Sequence, residues 1–138
     1  MSNKPLMVHV FGKKTCAKCA MLNKRLDEIL TKEPWKDHFI KVYNDLETED
    51  GLMNFCLAQS INPNRVPGMV VAKYSADGNT EYLPNPNPDT PDPVCKRAAL
   101  YTCLGIQTDY SSEGKGVITP QMIQSVLNKA LEMEKEGF

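Results

Sequence analysis

The chain has 138 residues, of which 41% are hydrophobic and 24% charged, and its formal net charge is -1. This length and composition are typical of one globular domain over residues 1–138, and the near-neutral net charge gives no indication of a nucleic-acid or anionic-membrane partner. The sequence shows no secretory signal and no run of about 20 apolar residues, so it predicts a cytoplasmic protein. Its 5 cysteines, an odd number, differ from the disulfide framework of a secreted protein and predict mostly reduced thiols.

The first predicted elements are a strand, a turn and a helix that carries two cysteines. Leu6 to Phe11 is a continuous apolar run, typical of a strand buried on both faces, and Gly12 begins the turn. Apolar residues then recur at helical spacing over Thr15–Thr31, with Thr15 as the predicted N-cap and Cys16 at the first helical position. Cys16 and Cys19 share one face with their Cα atoms about 5 to 6 Å apart, which suits either a dithiol or a disulfide.

The position of Cys16 predicts a reactive thiolate. The unpaired N–H groups and the macrodipole at a helix start favour negative charge, and Lys13, Lys14 and Lys18 add positive charge nearby. Cys16 is therefore the predicted attacking thiolate, and Cys19, one turn deeper, is the predicted resolving thiol. Two alternatives stay open, namely half of a zinc site or two buried small hydrophobic residues.

The middle of the chain predicts three more strands and one helix. The strands are expected at Phe39–Tyr43, Val66–Tyr74 and Thr80–Leu83, the last two forming a hairpin, and the helix at Thr48–Ser60. Cys56 lies in the apolar pattern of that helix and is predicted to be buried. The resulting order is β-α-β-α-β-β, in which the first two strands should be parallel.

Three single aromatic or imidazole side chains are predicted to be structural. Trp35 follows Pro34 in the connection before the second strand and is expected to anchor that loop. His9 and His38 have no cysteine or acidic partner at metal-ligand spacing, and no Cys-His nucleophile pair is visible.

Residues 84–116 are predicted to form an insertion before a final helix. Five prolines in Leu83–Val94 predict a stiff connector, because proline cannot donate a ladder hydrogen bond. An inserted helix is expected over Val94–Leu104, with Cys95 and Cys103 about 12 Å apart along its axis, and a polar loop over Gly105–Gly116. The final helix opens at Thr119-Pro120, with threonine as N-cap and proline at the first helical position.

Two motifs resemble the active site of glutaredoxins and small thioredoxin-like oxidoreductases. The first is V-F-G-K-K-T-C-A-K-C, with Lys13 three residues before the first cysteine, and the second is Arg65-Val66-Pro67-Gly68 ahead of an apolar strand. The resemblance implies an α/β, thioredoxin-like fold of the glutaredoxin type, β-α-β-α-β-β-α. It also implies a cis proline at Pro67 that faces the cysteine pair and shapes the groove, and a Val66 backbone that pairs with a substrate strand.

The sequence differs from the glutaredoxin pattern in the region that binds glutathione in that family. The Gly-Gly pair expected before the final helix is missing, and Arg65 stands where the family usually has threonine. Lys13 keeps the family's cationic position, Lys14 lies beside it, and Arg65 could meet a carboxylate bidentately. No bound cofactor is predicted, and glutathione enters only as a candidate co-substrate.

The leading hypothesis is therefore a dithiol-disulfide oxidoreductase that acts through Cys16 and Cys19. Its expected partners are a disulfide-containing protein or small thiol substrate, and a reductase or glutathione as electron donor. One alternative is a metal or iron-sulfur site in which Cys95 and Cys103 join the first pair, although their spacing is wider than the usual two to four residues. The other is a non-catalytic thioredoxin-like adaptor.

Overall fold

A mixed β-sheet with helices packed on both faces organises the chain in the computed structural model, which describes residues 6–58, 67–75, 78–84, 104–108 and 118–137. None of the helices in these ranges is both long and apolar enough to cross a membrane. The strands are β1 Leu6–Gly12, β2 Phe39–Asp45, β3 Gly68–Tyr74, β4 Thr80–Tyr82 and β5 Gly105–Gln107, and the helices are α1 Ala17–Ile29, α2 Glu49–Ala58 and α3 Pro120–Lys135.

The pairing of the strands confirms the predicted α/β, thioredoxin-like fold. The sheet order is β2-β1-β3-β4, with β1 and β2 parallel from Leu6 opposite Phe39 to Gly12 opposite Asp45. Strand β3 runs antiparallel to both β1 and β4. Every residue of β1 is buried because this strand lies inside the sheet and is covered on both faces, which explains its continuous apolar run.

The two faces of the sheet carry cores of different size. On one face, Val8 and Val10 belong to a large apolar cluster shared with α1 and α3, to which those helices contribute residues such as Leu26 and Leu127. On the other face, Phe11 contacts the ring of Phe55 in α2 with centroids 5.9 Å apart. Helix α1 is thereby fixed against the sheet, and its N-terminus is placed at the carboxyl end of β1.

The edge strand beside β3 is divided into two pieces, which the sequence did not predict. Tyr82 of β4 lies opposite Ala72, and Gly105 of β5 lies opposite Val70, so both pieces pair with β3 in the same direction. The break is closed by a hydrogen bond from the Leu104 N–H to the Leu83 carbonyl, 2.8 Å. The chain therefore leaves the edge after β4 and resumes the same strand path at β5.

The predicted polar loop over Gly105–Gly116 is consequently wrong for residues 105–107. A Cβ atom at Gly105 would lie 2.1 Å from the Met69 carbonyl oxygen, so this close pairing requires glycine. The predicted connector and helix, with Cys95 and Cys103, fall almost wholly on residues 85–103, outside the described residues.

Two other local predictions are corrected by the structure. The N-cap of α1 is Cys16 rather than Thr15, because Cys16 has extended backbone angles and its own sulfur caps the helix. Cys56 is exposed rather than buried. Helix α2 approaches β2 at Gly51, where a Cβ would lie 2.0 Å from the Asp45 carbonyl oxygen, and this approach sets which face of the helix meets the sheet.

Two predictions about anchoring side chains are confirmed. Thr119 caps α3, since its Oγ1 accepts a hydrogen bond from the Met122 N–H at 3.2 Å, and Pro120 occupies the first turn. Trp35 anchors its loop by donating from Nε1 to the Asn128 Oδ1 atom of α3 at 3.0 Å.

Candidate functional site

Cys16 lies at the point where the turn after β1 becomes helix α1. Its N–H donates to the Lys13 carbonyl at 3.2 Å, and its backbone angles, φ -89° and ψ 116°, are those of an N-cap residue. Its Sγ accepts a hydrogen bond from the Cys19 N–H at 3.2 Å, and the side chain is partly exposed. A partly exposed sulfur that receives a backbone N–H at a helix start is well placed to carry negative charge.

Cys19 lies one turn further along α1 and is fully buried. Gly12 makes room for it, because a Cβ at Gly12 would lie 3.0 Å from both Cβ and Sγ of Cys19. Burial, and after it a hydrogen bond with Cys16, raise the pKa of the Cys19 thiol from its ordinary 9.0 to about 12. At neutral pH Cys19 is therefore a protonated thiol beside the more accessible Cys16.

Tyr43 is a site residue that the sequence analysis did not identify. It lies near the carboxyl end of β2, and its hydroxyl would be 3.5 Å from a Cβ at Gly12. Burial, followed by the negative charges that Cys19 and Asp45 carry when ionised, raises the pKa of Tyr43, while a hydrogen bond with Asn23 acts in the opposite direction. The sequence could have indicated Tyr43 through the predicted topology, because the carboxyl ends of adjacent parallel strands meet at one edge of a sheet.

The charged residues that flank the cysteine pair along the chain are all basic. Between positions 13 and 25 the chain has five basic residues and no acidic ones. Lys13 and Lys14, the predicted substrate-binding residues before Cys16, are exposed, as is Lys18 one turn into α1. These five basic residues therefore lie on both sides of Cys16 in the sequence, while Asp45 lies opposite Gly12 at the same end of the sheet.

Pro67, the last of the five predicted substrate-binding residues, lies just before β3 and is buried. Its carbonyl oxygen accepts two hydrogen bonds from Thr108, one from the N–H at 3.2 Å and one from Oγ1 at 2.6 Å. Thr108 follows β5 and is itself fully buried. Arg65 and Val66 lie outside the described residues, so their predicted roles remain predictions.

A pocket of about 240 Å³ opens beside the cysteine pair, between α1, the start of β3 and the segment that leads into α3. The Arg25 guanidinium spans one side and donates to the Ile118 carbonyl. The sequence analysis missed this pocket because its walls come from segments far apart in the chain. The lining residues are Ala17, Lys18, Met21, Leu22, Arg25, Pro67, Thr108 and Ile118.

Metal-ligating side chains do not cluster in the part of the chain that the structure describes. Within those ranges, no three histidine, cysteine or acidic side chains lie close enough together to hold a metal ion. The alternative four-thiolate site would need Cys95 and Cys103, which lie outside those ranges, so it stays a prediction.

The chain is similar in structure to a known thioredoxin, at low sequence identity. Mitochondrial thioredoxin 3 from Saccharomyces cerevisiae, in its oxidized form, matches with a TM-score of 0.39 and 19% sequence identity. The match covers 58% of this chain and 65% of the yeast chain, less than two thirds of its length. No protein-family model matches the chain, and no curated protein matches it. The fold assignment rests on the observed order and pairing of the strands.

Proposed function

We propose that the protein is a thiol-disulfide oxidoreductase that uses Cys16 as nucleophile and Cys19 as resolving thiol. One observation carries the proposal, namely the unequal placement of two adjacent thiols at a helix start. Cys16 is partly exposed and accepts a backbone N–H, whereas Cys19 is buried with a pKa raised to about 12. Such an arrangement gives the two sulfurs different roles at neutral pH.

The proposed reaction proceeds in two exchange steps. The Cys16 thiolate attacks one sulfur of a substrate disulfide, so a Cys16-substrate disulfide forms and the other substrate sulfur leaves as a thiolate. Cys19 then loses its proton to solvent and attacks Cys16 Sγ, which releases the second substrate thiolate. The protein dithiol is oxidised to a disulfide by two electrons, and the substrate disulfide is reduced by the same two.

The hydrogen bond between the two thiols supports this order of events. Cys16 contributes to the raised pKa of Cys19 through that hydrogen bond and, when it is ionised, through its negative charge. The contribution of the charge ends when Cys16 becomes part of a mixed disulfide, because its sulfur is then neutral. Formation of the first covalent intermediate therefore makes Cys19 easier to ionise, at the stage when it has to attack.

The proposal requires two kinds of partner. One is a disulfide-containing protein or small molecule, and the other is a reductant that returns Cys16 and Cys19 to thiols. We propose a reductase or glutathione as that donor, on the chemistry of disulfide exchange alone.

Insulin-disulfide reduction with dithiothreitol as donor tests the proposed roles. Cys16→Ser should abolish the activity, and Cys19→Ser should lose turnover. Mixed with insulin in the absence of dithiothreitol, Cys19→Ser should accumulate a mixed disulfide at Cys16. Cys56→Ser is the matched control, since it removes an exposed thiol on α2, and it should behave as wild type. Wild-type activity in Cys16→Ser would refute the proposal, and an inactive wild-type protein would favour the adaptor alternative.

A further inference from the structure

The pocket beside the cysteine pair is mainly apolar and begins next to the nucleophile. Ala17 directly follows Cys16, and Met21 continues the pocket wall one turn along α1. Pro67 and Ile118 form apolar parts of the opposite side. Met21 is 51% exposed, which is a large apolar exposure for a side chain beside a candidate active site.

The size of the pocket limits what it can accept. A cavity of about 150 Å³ lined by apolar side chains binds benzene, and sites for drug-sized ligands occupy about 300 to 1,000 Å³. At about 240 Å³ this pocket suits one side chain the size of leucine or phenylalanine.

Among the residues that the structure describes, both charged side chains that line the pocket are basic. Lys18 and Arg25 both line it, and the Arg25 guanidinium is held there by its hydrogen bond to the Ile118 carbonyl. Toward the end of α1, Asp27 pairs with Lys41 at 2.9 Å, and Glu28 lines a shallower neighbouring groove with Arg25. The described residues at the cysteine end of the pocket therefore carry positive charge, although the whole chain has a net charge of -1.

We propose that this pocket binds an apolar side chain adjoining the reactive cysteine of an acidic polypeptide substrate. The inference rests on the proposed function and narrows its substrate class. The apolar wall accounts for the side chain, and the basic residues around it account for acidic flanking residues. Glutathione supplies carboxylates but no apolar side chain, so it leaves the pocket empty.

Four mixed disulfides with thionitrobenzoate test this preference. The first is a peptide with leucine beside cysteine and aspartate flanks, the second replaces leucine by alanine, the third replaces aspartate by lysine, and the fourth is the glutathione derivative. Attack of Cys16 on the peptide sulfur forms the protein-peptide disulfide and releases coloured thionitrobenzoate. The rate with Cys16→Ser is subtracted, because other cysteines also react.

The leucine-aspartate peptide should react about tenfold faster than each of the other three, as expected for a filled apolar pocket with complementary charge. Added salt should reduce the difference in rate between the aspartate and lysine peptides, because it screens charge. The difference in rate between the leucine and alanine peptides should not change. Met21→Glu should remove the leucine preference, whereas Met53→Glu, at a 58% exposed position on α2 outside the pocket, should keep it.

Equal rates for the four substrates, or faster reaction of the lysine peptide or the glutathione derivative, would overturn the inference and leave the proposed function standing. Release no faster than in Cys16→Ser with every substrate would instead reject the proposed function, and the inference with it. A leucine preference that survives Met21→Glu would place the side chain elsewhere and would also overturn the inference.

Discussion

Thr108 donates to the carbonyl oxygen of Pro67 through both its hydroxyl, at 2.6 Å, and its backbone N–H, at 3.2 Å. Thr108 lies just after β5, and Pro67 lies just before β3. The pairing of β5 with β3 therefore positions Pro67 beside α1. Both residues are buried and both line the pocket next to the cysteine pair. The resumed strand therefore forms part of the wall of the candidate site.

Thr108→Val should show what the hydroxyl contributes, because valine keeps the shape and removes the donor. We expect the free energy of unfolding to fall by about 1 to 2 kcal/mol, since a buried carbonyl loses one of its donors. Insulin reduction should slow by about tenfold if Pro67 shifts, while alkylation of Cys16 by iodoacetamide, which needs no groove, should keep its rate. Urea denaturation and the two rate assays measure these effects.

Thr108→Ser is the matched control for this substitution. Serine keeps the hydroxyl and loses only a methyl group, so insulin reduction should stay near the wild-type rate. A Thr108→Val protein that reduces insulin as fast as wild type would show that the hydrogen bond does not position Pro67 for the reaction.

The buried thiol of Cys19 predicts a loss of stability of the reduced protein at alkaline pH. In the unfolded chain Cys19 ionises near its ordinary pKa of 9.0, whereas in the folded protein burial and the Cys16 hydrogen bond raise its pKa to about 12. The contribution of the protonated Cys19 thiol to the free energy of unfolding is complete below pH 9. It decreases as pH rises from 9 toward 12, because only the unfolded state then loses the proton.

Urea unfolding of the reduced protein between about pH 8 and 10.5 measures this dependence. Cys19→Ala should reduce the alkaline slope of the free energy of unfolding against pH by the equivalent of about one proton per molecule. Cys56→Ala, which removes an exposed thiol, should leave that slope unchanged. Equal slopes in wild type and Cys19→Ala would contradict the raised pKa of Cys19.

His9 is a second buried titratable group, on the α2 side of the sheet. Asn54 donates to Asn44 Oδ1 at 2.8 Å, so the Asn44 amide is oriented to donate to His9 Nδ1 at 3.2 Å. His9 is therefore the neutral tautomer with its proton on Nε2, an atom that has no hydrogen-bond partner among the described residues. Burial lowers the pKa of His9 below 6.5.

Acid should therefore destabilise the fold through His9. Below pH 6.5 the unfolded chain takes up a proton at this position before the folded protein does, so the free energy of unfolding should fall as pH decreases. His9→Leu removes the titration and should flatten this part of the pH profile, although it also removes one of the two acceptors of the Asn44 amide, the other being the Val42 carbonyl at 3.4 Å. A Nδ1-protonated His9 in nitrogen NMR spectra at neutral pH would contradict this arrangement.

The sequence could predict those elements whose local pattern matches their tertiary surroundings. Strand β1 is apolar throughout because it is covered on both faces, and α3 begins at a threonine-proline pair that fits the first turn of a helix. The two cysteines were found by the spacing of the motif in a strand-turn-helix context. Their unequal burial follows from the close approach of Cys19 to Gly12, which only the structure could show.

The features that were missed depend on contacts between distant segments. Strand β5 has three residues, too few for a periodic pattern, and its pairing is determined by the free edge of β3. Cys56 is exposed because the contact of Gly51 with Asp45 sets the rotation of α2. The pocket likewise joins α1 to Thr108, and no local sequence signal connects them.

The most direct test of the account is a redox titration in which cysteines are alkylated at a series of fixed potentials and identified by mass spectrometry. We predict one reversible two-electron transition that converts Cys16 and Cys19 together into a disulfide, while Cys56 stays alkylated as a thiol throughout. A disulfide between Cys16 and another cysteine, or a Cys16 that remains a thiol after all other pairs have formed, would contradict the assignment of Cys16 and Cys19 as the reactive pair.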